Sequence, residues 1–306
     1  MKLKKIFTTL LVLGIILSLF SVGANANSNR YIDVVTKDMT TGEIYTERVY
    51  PTDHPDPPST PSSNSIIGDY DREPLDEPNN AICFIYSVFP DGSSMNGTGF
   101  VVGNNIILTA GHMIYDKSGE TGYATQVTVY PGHSAGKGSP FGSFNATALH
   151  VTNNYAYEST GSDITRAYYD IGIIELGTNI ESQTGKWELT YTGYDVYDTF
   201  INQNFSITGY NESGINSEQY YSSGSVTGVE ILINDGIRYY IADHVIDTTH
   251  GTNGSPLHQG NTAFGVHVLG VIDTPVIPGE TRATNTALIL NKVYYDWIYD
   301  YVDGIL

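Results

Sequence analysis

Three short motifs in this 306-residue chain carry side chains suited to moving a proton. Thr109-Ala110-Gly111-His112 follows the apolar run Ile106 to Leu108, so His112 sits where a strand ends and its ring can face a cleft. Tyr169-Asp170-Ile171-Gly172-Ile173-Ile174-Glu175-Leu176 puts Asp170 at the entrance of another apolar strand, where a carboxylate drawn out of water needs a hydrogen-bonded partner. A histidine is a natural partner. In such a pair the aspartate fixes the imidazole tautomer and steadies the imidazolium, while the histidine takes and returns a proton. The third motif is Asp247-Thr248-Thr249-His250-Gly251-Thr252-Asn253-Gly254-Ser255-Pro256-Leu257, a glycine-framed loop downstream of both.

The elements that must position these residues are short. From Ser65 onward, apolar or alternating runs are bounded by Gly, Asn, Asp and Ser: Ile82 to Val88, Gly99 to Val102, Ile106 to Thr109, Gln126 to Tyr130 and Ile171 to Leu176. Phe205 to Thr208, Val229 to Ile233, Arg238 to Ala242 and Phe264 to Val271 continue the pattern. With hardly any helical periodicity, this predicts an all-β barrel or sandwich. Only in Leu290 to Val302 do Val293, Trp297, Ile298 and Tyr301 recur at three and four, predicting one amphipathic C-terminal helix.

Upstream, Lys2, Lys4 and Lys5 precede the apolar run Ile6 to Val22 and then Ala24-Asn25-Ala26, which reads as a signal peptide over residues 1–26 and implies export. Residues 27–64 are polar and end in a proline-rich stretch from Pro51, a composition that builds no core and reads as a linker or propeptide. Residues 65–306 then form the functional domain. A single cysteine, Cys83, excludes an intramolecular disulfide, and its apolar surroundings from Ala81 to Ile85 predict burial. A net charge of −19 argues against nucleic-acid or anionic-membrane partners, which are bound through basic patches.

The Gly-x-x-Gly-Ser-Pro frame of the third motif resembles the nucleophile loop of chymotrypsin-like proteases. Taken with the order His112, Asp170, loop, and with the start Ser65-Ile66-Ile67-Gly68 followed by Asp71-Arg72, the chain from about Ser65 onward resembles the V8-like glutamyl endopeptidases of Gram-positive bacteria. The resemblance implies two six-stranded antiparallel β-barrels with a catalytic cleft between them. It implies a secreted zymogen, cut after Asn64 by a processing protease, that hydrolyses peptide bonds after glutamate, and after aspartate second, through an acyl-enzyme. The roles it carries over are acid–base catalysis by His112 and Asp170, and an oxyanion hole from the amides of Gly251 and Asn253. Thr248, His267 and the α-amino group of a freed Ser65 would hold the substrate carboxylate; a ring, a hydroxyl and an ammonium together can satisfy a carboxylate removed from water. No cofactor or metal is implied. The expected partner is a polypeptide with acidic residues, and the expected state is a monomer.

One position departs from the family. Its loop reads Gly-Asn-Ser-Gly-Ser-Pro, and aligning Gly254-Ser255-Pro256 places Thr252 on the asparagine and Asn253 on the nucleophilic serine. An amide has no proton that His112 could remove to make an oxygen nucleophile. Losing a triad nucleophile costs about 10⁶ in turnover. Two substitutes are open: Ser255 after a two-residue slip, which puts Pro256 where a small glycine belongs, or Thr252, displaced by one. The sequence therefore allows an endopeptidase with an unexpected nucleophile or a pseudo-protease that binds acidic peptides. His133, His150, His244, His250 and His258 show no zinc spacing and read as surface or loop histidines. Asn96-Gly97-Thr98 matches a glycosylation triplet and reads as a turn.

Overall fold

Nearly every apolar run in the sequence becomes a strand in the computed structural model, which describes residues 30–56, 72–117, 121–159, 163–211, 213–270 and 284–306. The described chain opens with an antiparallel hairpin, β1 (Ile32–Asp38) and β2 (Ile44–Val49), followed by the two-residue β3 (Glu73–Pro74). Then come β4 (Ile82–Val88), β5 (Ser94–Gly103) and β6 (Ile106–Thr109), a small ribbon of β7 (Tyr115–Asp116) and β8 (Gly122–Tyr123), and β9 (Gln126–Pro131), β10 (Phe144–Thr152) and β11 (Gly172–Leu176). Strand β10 closes the first barrel, pairing with β9 through Phe144 and Asn145 and with β11 through Ala146 to Val151. Two-residue β12 (Glu188–Leu189) leads into the second barrel: β13 (Asn204–Tyr210), β14 (Gln219–Asn234), β15 (Ile237–His244), β16 (Pro256–Gln259), β17 (Thr262–Leu269) and β18 (Asn285–Ile289). Here β17 closes the ring by pairing with both β16 and β18. The expected pair of six-stranded antiparallel barrels is therefore present.

The first core contains Phe84, Phe100, Leu108 and Ile173; the second is organised around Phe200, Phe205 and Phe264, with the first two rings stacked 4.9 Å apart. Short helices α1 (Asp163–Ala167), α2 (Glu181–Thr184) and α3 (Val196–Phe200) lie between strands and were not anticipated, because none is long enough to show a period. The expected terminal helix is α4 (Lys292–Val302), started by Asn291, whose side chain accepts from the Tyr294 amide at 2.8 Å. Val293, Trp297, Ile298 and Tyr301 are all buried beneath it. Cys83 is buried, as its surroundings predict, and burial pushes its thiol pKa up.

Several expectations need correction. Residues 30–56 belong to a stretch whose composition suggests that it builds no core, yet Ile32, Val34, Val35 and Val49 are buried and β1 pairs with β10. Their polarity misled because Asp33, Lys37 and Asp38, which interrupt the apolar run, are only partly buried, while polar Thr36 is buried against His150. His150, His244 and His258 are buried on strands β10, β15 and β16, His133 is on a loop as expected but buried, and of the five only His250 is exposed. Asn96-Gly97-Thr98 lies within β5 and is not a turn. Residues 1–26, read as a signal peptide, and Ser65 lie outside the described residues.

Candidate active site

Strand pairing brings His112 and Asp170 together. β6 lies beside β11, with Thr109 opposite Gly172, so the residues just past one strand and just before the other are neighbours. His112 sits in the single helical turn Gly111–Met113 that ends β6. The glycine before it leaves little room for a larger residue, since a Cβ at 111 would lie 3.1 Å from the Ile171 carbonyl and 3.2 Å from the Asp170 carboxylate. Both oxygens of Asp170 are used: one accepts from the His112 amide at 2.8 Å, the other from its Nδ1 at 2.7 Å. That bond fixes the proton on Nδ1 and leaves Nε2 facing the second barrel. Burial works against the imidazolium, but the charge and hydrogen bond of Asp170 outweigh it despite nearby Arg166, so the His112 pKa lies above its ordinary 6.5.

The glycine-framed loop is held from both barrels. Buried Thr98 of β5 donates its hydroxyl to the Gly251 carbonyl at 2.9 Å and its amide to the Asn253 carbonyl at 2.9 Å. Thr109 in turn donates to the Thr98 carbonyl at 2.7 Å. From the other side, the Gly254 amide donates to the His267 carbonyl and the His267 amide to the Ser255 carbonyl, both at 2.8 Å. Gly254 has φ +90°, and a Cβ there would lie 1.9 Å from the Thr98 carbonyl oxygen, so no other residue fits. Gly251 also has positive φ, and the amides of Gly251 and Asn253 donate to no described residue, leaving two main-chain donors at the loop.

This scaffold aims Asn253 at His112. The Asn253 side-chain Nδ2 donates to His112 Nε2 at 3.1 Å, the place a nucleophilic hydroxyl would occupy. Neither substitute hydroxyl is available. Ser255 is 0% exposed, its Oγ has no partner among the described residues, and it packs so closely on Gly209 that a Cβ there would overlap it. Thr252 is buried, and its Oγ1 accepts from the Thr249 amide at 3.1 Å.

His267 lies on β17 directly behind the loop and is 1% exposed. Its Nδ1 is 3.3 Å from Nε2 of fully buried His244. Burial, with the charge of His112 adding to it, pushes the His267 pKa down to about 3; the Thr286 backbone offsets this only in part. Thr248 is half-buried just upstream of the loop, next to Asp247, which accepts from Arg72 Nε at 2.8 Å. The roles of Thr98, Thr109 and His244 escaped the sequence reading, which placed Thr98 in a turn triplet, Thr109 at the head of the His112 motif and His244 among surface or loop histidines. Their roles arise from contacts between strands distant in sequence, and no local signal marks Thr98 or Thr109; His244 ends an apolar strand and could have been noticed.

Paired antiparallel barrels, with a histidine–aspartate pair on one and a glycine-framed loop on the other, define the chymotrypsin-like class. The chain belongs to the trypsin family, whose model matches residues 78–298. A glutamyl endopeptidase of Bacillus licheniformis is 28% identical over 234 residues, covering 73% of this chain and 66% of that protein, just under two thirds of its length. A Bacillus subtilis protein named as an extracellular metalloprotease is 25% identical over 244 residues, covering 76% of this chain and 69% of the relative. Among the described residues here, no group of three His, Cys, Asp or Glu is placed to hold a metal. A solved structure of a Glu endopeptidase superposes with a TM-score of 0.59 at 24% identity, covering 78% of this chain and 100% of that one.

Proposed function

We propose that this chain is an exported pseudo-protease: a trypsin-family cleft that binds polypeptides through an acidic side chain and does not form an acyl-enzyme. The observation that carries the reading is the partner of His112 Nε2, which is an amide N–H of Asn253 rather than a hydroxyl. With Ser255 and Thr252 buried, His112 has no proton to take that would generate an oxygen nucleophile. The main-chain donors at Gly251 and Asn253 do not depend on the residue 253 side chain, so a peptide carbonyl can still be held there.

Preference for an acidic ligand is supported by His267 and Thr248 beside the loop, and by the names of the glutamyl endopeptidase relatives. A buried, uncharged imidazole can still donate one N–H to a carboxylate, with the Thr248 hydroxyl as a second donor. Arg72, fixed to Asp247 beside Thr248, lies seven residues after Ser65; about 24 Å of extended chain at most separates them, within reach of the pocket for an α-amino group freed by cleavage after Asn64. Export is supported by the leader-like residues 1–26.

Calorimetric titration with two peptides differing only in glutamate against glutamine tests the reading. The glutamate peptide should bind about ten-fold more tightly, the worth of one charge-assisted hydrogen bond, and be recovered intact. Equal affinities would refute the acidic pocket, and recovery of cleaved peptide would refute the absence of catalysis.

A further inference from the structure

Residues 30–56 are tied to the body at two sites that would be left incomplete without them. The first is the edge of β10. Its residues 146–151 bond β11 on one side, and on the other side Ala148 to Thr152 bond β1, with Asp38 opposite Ala148 and Val34 opposite Thr152. Without β1 this would be an open row of backbone donors and acceptors, of the kind that invites pairing with another chain. Val34 and Val35 are each 0% exposed in the same core as the barrel, and Thr36 Oγ1 bonds buried His150 at 2.9 Å.

The second site is the face of α4. Residues 51–56 run along it as a strap: the Thr52 amide and His54 Nε2 each reach the Asp300 carboxylate at 3.0 Å, the Thr52 hydroxyl donates to the same carboxylate, and the His54 amide reaches Asp296 at 3.2 Å. Lys292 Nζ donates back to the His54 carbonyl at 3.0 Å. Asp296 and Asp300 are both buried, so the strap supplies hydrogen bonds that these carboxylates need.

We infer that residues 30–56 are a resident chain of the protease-like domain: when the connection to Ser65 is cut, they stay docked on the β10 edge and the α4 face as a separate polypeptide. The occupant of this surface is the chain's own N-terminal segment. The inference is independent of whether the cleft is catalytic.

The test uses residues 27–306 with a site for a sequence-specific protease introduced between Pro58 and Asn64. After cutting, gel filtration under native conditions should return the fragment and the body together in equimolar amount. Amide hydrogen exchange at Ala148 to Thr152 should stay as slow as in the uncut protein. Elution of the fragment apart from the body, whether the body remains folded or aggregates, would overturn the inference, as would exchange at those amides rising to that of an open edge. A labelled peptide of residues 27–56 should displace the resident fragment. The same peptide with Thr52→Val and His54→Ala should compete about ten-fold less well or worse, from lost hydrogen bonds to buried carboxylates. Equal competition would overturn the strap's part in docking.

Discussion

His112 and Asp170 have the geometry of a proton relay while Asn253 occupies the relay's far end, so the proposed loss of acyl transfer turns on a single side chain. Both relay residues were legible in the sequence because each adjoins an apolar strand whose end fixes it in space. Asn253 was legible from the fixed glycines around it. What the sequence did not carry was that Ser255 and Thr252 are buried, because their exposure depends on Gly209 and Tyr210 of a distant strand. The buried histidines were also hidden, and they have a pH consequence. His258, held by Thr208 at 3.0 Å and by the Gly260 carbonyl at 2.9 Å, has its pKa pushed by burial from 6.5 to about 4. The unfolded chain therefore takes up this proton first, so the stabilisation is full above pH 6.5 and is lost as pH falls from there through about 4. Urea unfolding of the native protein should lose stability over that window more steeply than His258→Gln, by about 3 kcal/mol at most. Parallel curves for the two proteins would contradict the assignment.

At the scale of elements, the strands that read clearly were continuous apolar runs such as β4 and β6, whose ends match the pattern residue for residue. Those that escaped, among them β10, β16, β18 and the β1–β2 hairpin, interleave Thr, Asn, His or Asp with apolar residues, and their strand character depends on neighbours that local sequence does not name. Strand β14 runs for 16 residues, where the apolar pattern exposed only its second half, because serines and a glycine fill the first. The loop between β15 and β16 is the element on which the site depends most. Gly254→Ala would drive a methyl into the Thr98 carbonyl in a left-handed conformation and should destabilise the protein by about 2 kcal/mol or more. A melting temperature unchanged from the native protein would show that the loop is looser than its hydrogen bonds imply.

Across the whole molecule, the pattern of short strands led to an all-β protein, but the closure into two barrels came from family resemblance. Closure rests on pairings between strands far apart in sequence, β4 with β9 and β6 with β11 in the first barrel and β13 with β16 and β15 with β18 in the second, and no local pattern encodes those. The terminal helix, by contrast, announced itself through its spacing and packs where its apolar face requires. With no disulfide available, two packed cores and the hydrogen bonds from Thr98 to the Gly251 and Asn253 carbonyls, with Thr109 bracing Thr98 within the first barrel, keep the cleft formed around a site without a hydroxyl. Such a scaffold should need one oxygen to become an enzyme. The most direct measurement is labelling by a fluorophosphonate probe, alongside turnover of a glutamate-containing fluorogenic peptide, for the native protein and Asn253→Ser, both as residues 27–306 cleaved after Asn64 with residues 30–56 left in place. The account predicts no labelling and no turnover in the native protein, with both gained in Asn253→Ser. Labelling and turnover by the native protein would contradict it.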